Sequence, residues 1–117
     1  IFIAMEYTTI PLSRAKTDVI NILKRYNLEV KEVASCNANI VHRKDYTTYV
    51  YSHEYSTLEA KIKNLIESKE YQEAGSPTIY VWASMEGQYR YLNIGYFRPT
   101  KSNLTELVVL TIGVAQY

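Results

Sequence analysis

Apolar and polar positions alternate along much of this chain and twice give way to helical spacing. Residues 2–10 (FIAMEYTTI) are β-branched and aromatic with partial alternation, which predicts a strand ended by Pro11. From 14 to 26, Ala15, Val19, Ile22, Leu23 and Tyr26 recur every three or four positions, while Arg14, Lys16, Asp18, Lys24 and Arg25 fall largely elsewhere. That spacing predicts a helix with one apolar stripe, capped by Ser13 and stopped at Asn27.

Leu28 to Val41 alternates again and predicts a long strand, bent or bulged near its middle. One face carries Leu28, Val30, Ala34, Cys36, Ala38 and Ile40, interrupted by Glu32; the other carries Glu29, Lys31, Val33, Ser35, Asn37 and Asn39. His42-Arg43-Lys44-Asp45 is the expected polar turn, and residues 46–55 the next strand. Ser56-Thr57-Leu58-Glu59 has capping-box spacing. Leu58, Ile62, Leu65 and Ile66 then form the apolar stripe of a second helix to about Glu73, stopped by Gly75-Ser76-Pro77.

Residues 78–85 and 88–97 predict a hairpin around Glu86-Gly87. An even loop centred there sets Trp82 opposite Tyr91 and Val81 opposite Leu92. Ile79, Val81, Ala83, Leu92 and Ile94 then share one face, and Tyr80, Trp82, Ser84, Tyr89, Tyr91 and Phe97 the other. A one-residue slip would mix the two sets, which favours the even loop. After a linker at 99–103, the tail Leu104–Tyr117 is apolar nearly throughout. Val108, Val109, Thr111, Ile112 and Val114 favour a strand, although Asn103 with Glu106 could cap a helix.

These elements predict one α+β domain over residues 1–117. It is a two-layer sandwich with a ferredoxin-like βαββαβ core and one or two extra C-terminal strands, two helices lying on one face of a mainly antiparallel sheet. That architecture hosts many unrelated functions and names none.

Composition sharpens one part of this picture. The chain has 12 Tyr against 2 Phe and 1 Trp, and most of the Tyr fall on predicted strands. Tyr is a large apolar ring with one polar end, suited to a surface that meets both water and a partner. The sheet face away from the helices would hold Tyr49, Tyr51, His53, Tyr55, Tyr80, Trp82, Tyr89 and Tyr91. Arg90 joins them as a candidate binding residue, and Arg43, Lys44, Arg98 and Lys101 are further cations near strand ends. Such a face serves self-association or a protein partner. Alternatively it stacks single-stranded bases, as some four-stranded sheets do. It could also be covered from within, by the C-terminal segment.

Charge bears on that choice. The net charge is +1, so a nucleic-acid role would need a local patch or stacking rather than bulk electrostatics. The glycine-aromatic motifs of the well-known RNA-binding sheets do not occur.

Catalytic and metal chemistry find little purchase. Two His and one Cys lack ligand spacing, so no metal or cofactor is expected. His53 and Glu54 are neighbours on a predicted strand and point to opposite faces. Cys36 falls on the predicted core face, where thiols are inert, and a single Cys allows no internal disulfide. A tyrosine nucleophile would lack the paired histidines that position its metal. No P-loop, GxGxxG or GxSxG occurs. The expectation is a non-enzymatic binding or assembly domain, a homo-oligomer or docked to a protein, in the cytoplasm. No membrane span or signal peptide is expected, since no apolar run is long enough and IFIAM has no basic flank. Asn103-Leu104-Thr105 is a formal glycosylation sequon of a kind common by chance. The Ile at position 1 suggests a trimmed chain or a piece of a longer one.

Overall fold

The computed structural model describes residues 12–35, 42–48, 55–75, 78–87, 89–99 and 105–114; at 42–48, 55–57, 89 and 114 the description is of the backbone. The expected strand at 2–10 lies outside these residues, as do Cys36, Tyr49, Tyr51, His53, Lys101 and the sequon's Asn103. In chain order the elements are α1 (Leu12–Lys24), β1 (Glu29–Glu32), β2 (His42–Thr48), α2 (Tyr55–Glu67), α3 (Lys69–Gln72), β3 (Thr78–Glu86), β4 (Tyr89–Pro99) and β5 (Thr105–Val114). They form an α+β domain.

Both helical stripes are used as the spacing implies. Ala15, Val19, Ile22 and Leu23 of α1 are buried, as are Leu58, Ile62, Leu65 and Ile66 of α2. Asn27 terminates α1 with φ 59°, the left-handed conformation that Asn tolerates better than most residues. The second helix is shorter than expected because Ser68 breaks it. The Ser68 backbone is extended, and its hydroxyl accepts a hydrogen bond from the Tyr71 backbone N–H at 3.1 Å, capping the separate turn α3. The redirected chain buries Tyr71 against Tyr96, with ring centroids 4.9 Å apart.

The five described strands form one mixed sheet in the order β1-β3-β4-β5-β2. β3–β4 and β4–β5 are antiparallel, while β1–β3 and β2–β5 are parallel. A ferredoxin-like sheet would pair the strand after the first helix with the strand before the second. Among the described strands, β1 and β2 instead lie at opposite ends of the order. The centre is taken by the long meander β3–β4–β5, whose last strand is buried on both faces at Leu107, Val108, Val109 and Leu110, as suits an interior strand.

The tail is therefore a strand, and His42-Arg43-Lys44-Asp45 is part of β2 rather than a turn. Seven residues of β2 pair with β5, and this pairing outweighs local polarity, which edge strands carry readily. Tyr55 begins α2 and so leaves the expected aromatic strand. Of the long strand expected over Leu28–Val41, residues 36–41 lie outside the described residues; among the rest, β1 spans Glu29–Glu32 and the Val33 N–H extends the pairing to the Val81 carbonyl at 3.0 Å.

Candidate functional site

Helical side chains in the main core all pack on one face of the sheet, against Ile79, Val81, Leu92, Ile94, Tyr96, Val108, Leu110 and Ile112. The opposite face carries a separate cluster. Trp82, Leu107 and Val109 are buried there, with Val33, Tyr80 and Phe97 packed against them. Among the described residues, no helical side chain belongs to this second cluster.

The pairing register draws the second face as rows across β3, β4 and β5. Tyr80 is opposite Gly95, and Gly95 opposite Val109; Trp82, Asn93 and Thr111 form the next row, and Ser84, Tyr91 and Gly113 the one after. Phe97 pairs with Leu107 at one end. One half of the face is thus aromatic and apolar, and the other polar and small apart from Tyr91.

Trp82 organises the apolar half. It is only 5% exposed, because its ring leans from its own row onto Gly95. A Cβ built at Gly95 would stand 2.9 Å from Cη2 and 3.0 Å from Cζ3 of the indole, and 3.2 Å from the Val108 carbonyl oxygen. Glycine is needed here for closeness of approach, as an isolated glycine in a strand often signals. Beside it, Tyr80 and Phe97 meet edge to face with centroids 5.4 Å apart.

Asn93 organises the polar half. It is 1% exposed, and its amide is engaged on both sides. The Asn93 Nδ2 donates to the Trp82 carbonyl at 3.2 Å and to Ser84 Oγ at 2.9 Å, while Thr111 Oγ1 donates to Asn93 Oδ1 at 2.9 Å. Three strands are cross-linked by one side chain. Both amide hydrogens are used, so burial leaves no donor of this group unmatched.

The structure brings Tyr80, Trp82 and Tyr91 together on this face. Tyr80 and Tyr91 are half-buried. Arg90 lies on the other face, opposite Met85 and Val114. Tyr89 pairs with Glu86 at the mouth of the hairpin. Tyr49, Tyr51 and His53 are not among the described residues. The hairpin keeps the expected separation of side chains but in a register shifted by two: Trp82 meets Asn93, and Ser84 meets Tyr91. The loop begins at Gly87, whose φ of 61° suits the first position of a primed hairpin turn. An even shift moves no side chain to the other face.

Sequence reasoning passed over Asn93, Gly95, Leu107, Val109 and Thr111. Two signals were present: Asn and Gly are both unfavourable inside a strand, and each marks a special contact when it occurs there.

No protein-family model matches this chain, and neither does any curated protein or solved structure.

Arg98, Glu106 and Glu70 form one linked set on the helix-bearing side. Arg98 Nε donates to Glu106 at 2.5 Å, and its guanidinium lies 3.6 Å from Glu70. This joins α3 to the end of β4–β5. The hydrogen bond to Glu106 raises the Arg98 pKa further above its ordinary value. Burial raises the Tyr71 phenol. Among the described residues no group of three or more His, Cys, Asp or Glu side chains converges, and no helix is long and apolar enough to cross a membrane.

Proposed function

We propose that this chain is a small binding or assembly domain that docks to a protein partner through the second face of its sheet, a second copy of the chain being the first partner to test. The supporting observation is the pattern of exposure on that face. Tyr80 and Phe97 are half-buried rings packed with buried Trp82, Leu107 and Val109, and half-buried Tyr91 lies on the same face. Half-exposed amphipathic rings around an apolar centre are the composition that protein interfaces favour.

Single-stranded nucleic acid fits the same residues less well. Stacking needs an open ring face, and Trp82 has almost none. Arg90 and Arg98, the two arginines of β4, lie on the helix-bearing face with Ile94 and Tyr96.

Self-association is read by sedimentation equilibrium or light scattering across the micromolar range. The expected result is a dimer or larger species that Tyr91→Ala weakens at least tenfold, with an unchanged circular dichroism spectrum. A monomer throughout that range counts against self-association. Quenching of Trp82 fluorescence by an oligonucleotide at low salt would instead favour the nucleic-acid reading.

A further inference from the structure

The β3–β4 hairpin has two registers that keep every side chain on its face. In the observed one, Glu86 pairs with Tyr89 and the loop is Gly87-Gln88. Slipping β4 by two residues would move the loop to Glu86-Gly87, closed by Met85 and Gln88, and set Trp82 opposite Tyr91. Hydrophobic patterning does not separate the two, because both place aliphatic residues against aliphatic residues on the helix-bearing side. We propose that Asn93 is a register lock: its two hydrogen bonds to β3, to the Trp82 carbonyl and to Ser84 Oγ, select the observed pairing over the slipped one and thereby fix which rings are neighbours on the second face.

Both bonds depend on which row of β3 Asn93 faces. Ser84 lies one row away on β3 and the Trp82 carbonyl belongs to Asn93's own partner, while the Thr111 bond is made within the β4–β5 pairing. After the slip, Asn93 would face Tyr80, and Ser84 and the Trp82 carbonyl would move out of reach, since two residues of strand are about 7 Å. A buried amide whose two N–H donors are stripped of their acceptors is strongly unfavourable. Two neighbouring contacts report the same row. Trp82 leans on Gly95, which would move beyond it, and Tyr80 meets Phe97, which would then lie four residues from Tyr80's partner. The lock thus acts where the face is aromatic, and the slipped state would present a different arrangement of rings.

The turn can be set against the lock. Glu86→Asn places Asn before Gly87, the pair that favours a type I′ loop in the slipped position. Cross-strand backbone NOEs in the full chain distinguish the registers: residue 84 sees 91 in the observed pairing and 89 in the slipped one. Glu86→Asn alone is expected to keep the 84–91 contact. Adding Asn93→Leu is expected to produce a second set of resonances with the 84–89 contact, raising the slipped-to-observed ratio about tenfold or more, the equivalent of one or two net hydrogen bonds. Asn93→Thr in the same background carries the test if Leu prevents folding. A slip in Glu86→Asn alone overturns the proposal, and so does a double variant that holds a single, observed register.

Discussion

The two faces of this sheet are built to different standards of precision. On the helix-bearing face, Ile79, Val81, Leu92 and Ile94 are aliphatic, fully buried and close to interchangeable in size and chemistry. A two-residue slip would replace Ile94 by Leu92 as the neighbour of Val81 and change little in kind. On the second face each position is individual: an indole over a glycine, an amide between two hydroxyls, a phenol edge-on to a phenyl ring. Interchangeable packing secures burial and so decides which way the strands face. Directional contacts decide which residue meets which, consistent with the wider tolerance of cores to hydrophobic exchange than to altered polar groups.

The largest test of that difference is Trp82→Ala. If the second face is packed like a core, its loss destabilises the chain by about 3–5 kcal/mol in urea unfolding, the usual range for a buried aromatic. Ile94→Val, on the helix-bearing face, should cost about 0.5–1.5 kcal/mol. A Trp82→Ala effect no larger than that of Ile94→Val would erase the distinction.

Gly95→Ala comes next. The added methyl meets the indole and the Val108 carbonyl, so a loss of about 1–3 kcal/mol is expected, as for other overpacked sites. Trp82 emission should shift with it. Combined with Trp82→Ala, the same substitution should cost less, because the ring that obstructs it is gone. Simple additivity of the two would show that the ring does not depend on its glycine.

The smallest effect belongs to Tyr71, on the helix-bearing side. Its phenol pKa is raised by burial, so the folded chain keeps a proton that the unfolded chain gives up first. The stability tied to that proton is complete below the unfolded value of about 10 and declines as pH rises from there through the folded pKa. The urea midpoint of the native chain should therefore fall more steeply than that of Tyr71→Phe above pH 10. Parallel curves would remove the burial effect.

Much of this was legible in the residues. Both apolar stripes, the stop at Asn27, the β3–β4 hairpin and the division of its side chains into two faces follow from periodicity and turn chemistry, which are local. What was not legible is non-local. Nothing near His42 shows that β5 will recruit a polar segment as an edge strand, nor that β1 and β2 will part to opposite ends of the strand order. The break at Ser68 looks like a continuing helix until Tyr71 is seen against Tyr96. The candidate site shows the same divide: Tyr80, Trp82 and Tyr91 were visible by type and alternation, whereas Asn93 and Gly95 take their meaning from the strands on either side. Arg90 is expected among the cations near strand ends that could serve the aromatic face, whereas alternation places it on the far face.

The hairpin tip has a practical consequence of another kind. Glu86 and Gly87 are exposed, and Met85 is 63% exposed, at the end of two long paired strands. A fluorophore or short affinity tag inserted after Gly87 would project from the end of the β3–β4 pair, beyond the rows that hold Trp82 and Asn93. It offers a handle by which the molecule can be immobilised through a position outside the proposed docking face.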